Sequence, residues 1–180
     1  MRTRARKCAD TIHENSEVKV VSHIDADGIT SAAIICKALE RAGIESSVGF
    51  VKQLDENTIF KLADQNPELV IFTDLGSGML ETIIRSGLNV VISDHHRPRG
   101  DTENLIKHHL NPHLFGANGS TDISGSGTTY LLANELGDNH DLAGLAIVGA
   151  IGDMQNRRNG HLISLNREIL EEGVSKGILS

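Results

Sequence analysis

VKVVSHIDADG, residues 18–28, decides how the chain is read. Val18 to Val21 is a short apolar run of the kind that forms a buried strand. The run ends at Ser22, and His23, Asp25 and Asp27 follow before Gly28 closes the turn. A helical pattern begins near Thr30. Strand, acidic loop and helix in that order describe the carboxyl edge of an open α/β sheet, where such folds place their chemistry. No Lys or Arg lies between Val20 and Cys36, so no neighbour in sequence can neutralise the two carboxylates. Two carboxylates and an imidazole on one tight loop are costly unless a cation joins them. The loop therefore reads as half of a divalent metal site, or alternatively as a solvated acidic loop with Asp27 capping the helix.

The same pattern repeats outward from this stretch. Thr30 to Ala42 carries an apolar stripe through Ala32, Ala33, Ile35, Cys36 and Leu39, and Gly43 ends it. Ile44 to Val51 reads as the second strand. Asp55 opens a second helix that stops at Asn66-Pro67. Leu69 to Phe72 is a third strand ending in Thr73-Asp74, Leu80 to Arg85 a short helix, and Leu88 to Ile92 a fourth strand ending in Ser93-Asp94-His95-His96. The strands are continuous apolar runs that alternate with helices. This predicts a doubly wound α/β domain: a parallel sheet of about five strands with helices on both faces. Arg97 to Thr121 reads as loop, with an edge strand near His109 to Pro112. Ser124-Gly125-Ser126-Gly127 opens a helix through Leu136, Leu142 to Ile151 reads as a buried helix ending in Gly152-Asp153, and Leu165 to Glu172 is a last amphipathic helix. Met1 to residue 17 reads as a leading helix or arm, its Arg2, Arg4, Arg6 and Lys7 solvated, and residues 18–180 as one catalytic domain.

Composition narrows the function. At 180 residues and 39% hydrophobic content the chain can bury a real core. The net charge of −7 is not the footprint of a nonspecific nucleic-acid binder. Four Phe and one Tyr are the whole aromatic supply, with Phe50 and Phe72 assigned to the core, so base stacking is limited. Two cysteines do not make a disulfide framework, and Cys36 reads as core. No apolar stretch is long enough to span a bilayer, and a cytoplasmic setting is the default expectation.

Three strand ends carry acid or imidazole: Asp25 and Asp27, then Asp74, then Asp94, His95 and His96. In a parallel sheet these ends lie side by side, and Asp153 can close the cluster from a helix end. Each has a plainer reading: Asp74 as a helix cap, Asp94-His95-His96 as a surface loop, Asp153 as a loop residue after a Gly stop. His108, His109 and His113 read as surface or structural. Together, hard oxygen donors with imidazole and no thiolate suit Mn²⁺ or Mg²⁺. That many carboxylates can hold two ions, and two metals about 3.5–4 Å apart are the apparatus of in-line displacement at phosphorus.

Ser22-His23-Ile24-Asp25-Ala26-Asp27-Gly28, Thr73-Asp74, Asp94-His95-His96 and Gly149-Ala150-Ile151-Gly152-Asp153 resemble, in order, the four motifs of the DHH phosphoesterase family. The first motif, with His109-Leu110-Asn111-Pro112 and Ser124-Gly125-Ser126-Gly127, is similar to the RecJ-like single-strand exonuclease branch in its archaeal form. The resemblance implies that Asp25 and Asp27 ligate different metals, that Asp74 bridges them, and that His95 and Asp153 complete the second. It implies that His96 reaches the substrate phosphate and that Asp94 orients a histidine by accepting its ring proton. His23 stands two before Asp25, closer than the first-motif His of pyrophosphatase-like relatives, and is a further ligand candidate. Ser124 to Gly127 can offer backbone N–H groups to a phosphate, or simply cap a helix.

The implied activity is hydrolysis of phosphodiester bonds in single-stranded DNA or RNA by metal-activated water, in replication or repair. Alternatives are a hydrolase of small phosphates (oligoribonucleotide, cyclic dinucleotide, nucleotide 3′-phosphate, pyrophosphate) and a scaffold of the replicative helicase, whose accessory complex is also a possible partner of an active nuclease. Nothing after Asp153 resembles the second, substrate-gripping domain of the family, so the expectation is a catalytic domain alone.

Overall fold

β1 (Glu17–His23) sits inside a five-stranded sheet with β2 (Glu45–Val51) on one side and β3 (Leu69–Thr73) on the other. β4 (Val90–Ser93) and the two-residue β5 (His109–Leu110) complete the order β2-β1-β3-β4-β5, and every pairing is parallel. The computed structural model describes residues 1–99, 107–157 and 160–180. Part of the loop expected over Arg97 to Thr121, residues 100–106, lies outside the described residues.

The register aligns the strand ends. Ser22 pairs with Thr73, Thr73 with Ser93, and Ser93 with Leu110. The hydroxyls at this level bond to one another and to nearby backbone: Thr73 Oγ1 donates to Ser22 Oγ at 2.8 Å, Ser22 Oγ donates to Gly28 O at 2.7 Å, and Ser93 Oγ lies 3.0 Å from Thr129 Oγ1. Their fully buried polar ends thus find partners, as buried groups must.

Alternate strand residues serve opposite faces. Val18, Val20, Leu69, Ile71 and Val91 meet α1 (Arg2–His13), α2 (Ala26–Arg41), α5 (Gly125–Leu136), α6 (Ala143–Gly152) and α7 (Ser164–Ser175). Val21, Val70, Phe72, Val90 and Ile92 meet α3 (Glu56–Ala63) and α4 (Leu80–Ser86). The doubly wound parallel sheet is as the apolar runs implied.

Four local expectations change. α1 is no solvated arm: Ala5, Cys8, Ala9 and Ile12 are buried, Arg4 Nη1 donates to His109 O at 2.9 Å, and Arg6 pairs with Glu135 at 3.1 Å. Small residues at helical spacing make a shallow stripe that still packs. Phe50 is 46% exposed, because β2 is an edge strand whose outer end α2 does not cover. Cys36 is only half-buried. α6 is not buried all round: Val148 and Ile151 face solvent.

His109 is fully buried on β5, its Nε2 2.8 Å from Ser77 Oγ, and its Nδ1 has no partner. Burial, joined by Arg4 and only partly opposed by Asp94, lowers its pKa from 6.5 to about 4. The unfolded chain therefore takes up this proton first as pH falls. The resulting stabilisation is complete above pH 6.5 and is lost as pH drops to about 4, a difference of about 3 kcal/mol. The melting temperature of wild type should fall more steeply over that window than that of His109→Gln. Parallel profiles would refute the assignment.

Candidate metal centre

The loop after β1 turns directly into α2. Asp25, not Asp27, is the N-cap: its Oδ1 accepts from Gly28 N at 2.9 Å, and α2 begins at Ala26, earlier than the periodicity near Thr30 indicated. This frees Asp27, in the first turn, to point inward. It is 2% exposed, and its two oxygens accept from Gly125 N at 2.7 Å and Ser126 N at 2.9 Å. The N-terminus of α5 thus neutralises part of its charge. The sequence offered these amides to a substrate phosphate; the structure gives them to Asp27, and Gly127 N to Ser124 Oγ at 3.1 Å.

Asp74 follows β3 with a left-handed backbone, φ 59°, which turns its buried carboxylate over the strand end. Neither oxygen has a hydrogen-bond partner. His95 lies across from it. Its Nδ1 donates to Gly119 O at 2.6 Å, which leaves Nε2 aimed 3.2 Å from Asp74 Oδ1 and 3.6 Å from Asp27 Oδ2, without hydrogen-bond geometry to either. His23 Nδ1 stands 2.8 Å from Asp25 Oδ2 and 3.8 Å from Asp74 Oδ2, again without a partner of good geometry. Asp153, at the end of α6, brings a carboxylate oxygen within 3.8 Å of His95 Nδ1.

Two donor sets emerge. His23, Asp25 and Asp74 form one, and Asp27, His95 and Asp153 the other, with the donor atoms of each set within 4.8 Å of one another. Asp74 lies between them, in reach of His23 and of His95. Asp94 and His96 also converge on Asp74, but Asp94 is committed elsewhere. Fully buried, it accepts from Ser77 N at 2.9 Å, His95 N at 2.7 Å and His96 N at 3.1 Å, and His96 Nδ1 lies 2.9 Å away. It positions the histidine loop rather than offering a free ligand atom. His96, with its side chain 57% exposed, stands at the rim.

The electrostatics agree. Burial, then the charges of Asp27 and Asp94, pushes the Asp74 pKa up to about 7, with His95 opposing. Burial would lower His95, yet Asp74, Asp27 and Asp94 outweigh it and raise it to about 10. For Asp94, burial is likewise overcome, here by His96 and the loop amides, and its pKa falls well below the usual range. The pocket demands positive charge. Buried unpartnered Asp74 oxygens and two free imidazole nitrogens are what hard divalent cations require, so the residues present fit that group.

Several supporting residues gave no motif signal. Gln155 is buried and donates to Gly119 O at 2.8 Å and to Asp153 Oδ2 at 2.9 Å, fixing both the carboxylate and the carbonyl that orients His95. Its Oε1 accepts from Asn166 Nδ2 at 2.6 Å. Asn166 shares the buried side of α7 with Ile169 and Gly173; a polar residue at an apolar-stripe position was the available hint. On the other side, Asn111, which does belong to a motif, His109-Leu110-Asn111-Pro112, donates from Nδ2 to Ser77 Oγ and to His96 O, each at 2.9 Å.

Carboxylates and imidazoles thus gather at the carboxyl edge of a parallel sheet, in groups that could hold metal ions. Residues 17–150 match the DHH family, N-terminal domain, and the chain belongs to the DHH family. An uncharacterized protein of Methanocaldococcus jannaschii, MJ0831, is 43% identical over 86% of the chain and 36% of that protein. The single-stranded-DNA-specific exonuclease RecJ of Thermus thermophilus is 25% identical over 98% of the chain and 27% of its own length. A crystal structure of exonuclease RecJ bound to manganese superposes with a TM-score of 0.73 at 22% identity, covering 97% of this chain and 47% of that one. The chain thus spans about a third of the length of these curated relatives. Among the described residues, no helix is long and apolar enough to cross a membrane.

Proposed function

We propose that the chain is the catalytic part of a metal-dependent phosphodiesterase that trims single-stranded nucleic acid. One observation carries the reading: Asp74, buried and unpartnered, sits where the His23/Asp25 and Asp27/His95/Asp153 donor sets meet. Those six residues would hold divalent ions, with Asp74 shared. Such ions, Mn²⁺ foremost and Mg²⁺ next, would acidify a water and neutralise charge on the phosphoryl oxygens. The protein's own groups do the positioning. Gly125 and Ser126 N–H fix Asp27, Gly119 O fixes the tautomer of His95, and Gln155 fixes Asp153. His96, anchored by Asp94, is placed to donate an N–H to a phosphoryl oxygen at the rim. The manganese-bound RecJ fold and the RecJ relatives support single-stranded DNA as the substrate class.

The test is chelation followed by back-addition. Stripped protein should release no nucleotide from a single-stranded oligomer, and Mn²⁺ should restore release. Full activity in the stripped protein overturns the metal reading. Restored turnover confined to oligoribonucleotides, cyclic dinucleotides, nucleotide 3′-phosphates or pyrophosphate replaces the nuclease with a small-phosphate hydrolase. No turnover of any of these, with undiminished binding to a helicase accessory complex, replaces it with a scaffold.

A further inference from the structure

A cleft of about 240 Å³ adjoins the donor cluster, with Asp74 and His96 on its near wall. Its far wall is apolar: Leu54, from the loop after β2, and Leu75 and Met79, from the loop after β3. These side chains are the top of the core beneath α3 and α4, where Leu54 and Leu75 are buried and Met79 packs beside them. Because β2 and β3 flank β1, the cleft spans the end of β1 at the point where the strand order reverses, the place where open α/β sheets receive ligands. Lys52 also lines it.

We infer that this cleft receives the nucleoside attached to the scissile phosphate. The inference rests on the phosphodiesterase reading above and names a substrate subsite within it. A phosphodiester centred on Asp74 and His96 carries its organic substituents sideways, and here the side is an aliphatic bed of one-nucleoside size with a cation in its lining. The apolar part of the wall is aliphatic; the rings in the lining are the imidazoles of His23 and His96, which stand with the carboxylates, and Lys52 and Gln53 are the side-chain donors away from them. The wall therefore grips a nucleoside by shape and aliphatic contact, and does not distinguish one base from another.

Gly78 gives a clean test. It lines the cleft, a Cβ added there meets nothing within 4 Å, and its backbone conformation suits any residue. Gly78→Phe can therefore plug the cleft without straining the loop. With Mn²⁺ present, kcat/KM is measured for the nitrophenyl phosphodiesters of thymidine, as 3′ and 5′ isomers, against methyl nitrophenyl phosphate, which shares the leaving group and lacks the nucleoside. Wild type should prefer at least one thymidine ester by about tenfold, and Gly78→Phe should bring that ratio down to about one. Gly78→Leu, a smaller plug, should fall between. Replacing thymidine by deoxyadenosine should leave the wild-type ratio within about threefold.

The outcomes separate. If wild type hydrolyses none of the esters, the phosphodiesterase reading has failed. If it hydrolyses all of them with no preference for nucleoside, or if the Phe variant keeps the wild-type ratio, the subsite is overturned and the phosphodiesterase stands. Equal loss on every ester keeps the ratio and so also overturns the subsite.

Discussion

Asp74→Asn is expected to abolish the proposed turnover, by about a thousandfold or more, while the metal-free protein should melt at the same temperature as wild type or higher. The two halves of this expectation come from one fact. Asp74 is buried with neither oxygen hydrogen-bonded, among Asp27 and Asp94, so its charge burdens the fold, a cost that His95 offsets only in part. Removing the charge removes the reason to bind the cation and relieves the fold at once. Asn is the right replacement because Asp74 has φ 59°, which Asn tolerates; Ala there adds about 1 kcal/mol of backbone strain and blurs the comparison. Thermal melting with and without Mn²⁺ reads it directly: wild type gains stability with the ion, and the variant gains none. A variant that keeps its turnover, or its Mn²⁺-dependent shift, removes Asp74 from the shared position.

Gly149→Ala should cost both stability and activity, and Gly144→Ala, five residues earlier on the same α6, should cost neither. A Cβ on Gly149 presses into Ser126 Oγ, Thr30 Oγ1 and Asp27 Oδ1. To make room, α6 must lift from α2 and α5, or Asp27 must leave the Gly125 and Ser126 amides. Overpacking of this kind costs about 1–3 kcal/mol, and a displaced Asp27 lowers metal affinity besides. A Cβ on Gly144 meets only Leu179 Cδ2, at 3.5 Å, an ordinary contact, and Ala in a helix gains up to about 1 kcal/mol over Gly. Denaturant melts and Mn²⁺ titration of both variants check the pair. Equal behaviour would mean that the packing at Gly149 yields without disturbing the site.

The sheet and the row of strand-end residues were legible because buried parallel strands are unbroken apolar runs, and the acids after them interrupt those runs abruptly. Asp74 and Asp94-His95-His96 could be placed side by side on that ground. The exchange of roles between Asp25 and Asp27 was not legible. Both can cap a helix, and only the docking of α5 shows which one the cap leaves over. Ser124 to Gly127 was read as a helix opening with amides to offer; their acceptor lies 98 residues away in sequence. α1 was read as a helix or an arm, and its packing was not legible because its anchors besides Ile12 are Ala and Cys, which add little to an apolar stripe. Phe50 misled because a strand pattern does not reveal whether a strand is at the edge. Gln155 has no pattern of its own, and its importance is wholly in the partners it joins.

The bonds between Asp27 and the first amides of α5 carry a consequence for how the protein is made. Residues 23 to 96, with most of the chelating groups, leave the ribosome before Gly119, which turns His95, and before Gly125 and Ser126, which clasp Asp27. The growing chain can therefore bring His23, Asp25 and Asp74 together before it can fix Asp27 and His95. On the proposed reading, the second donor set is complete only after α5 and α6 have closed over the first half of the sequence.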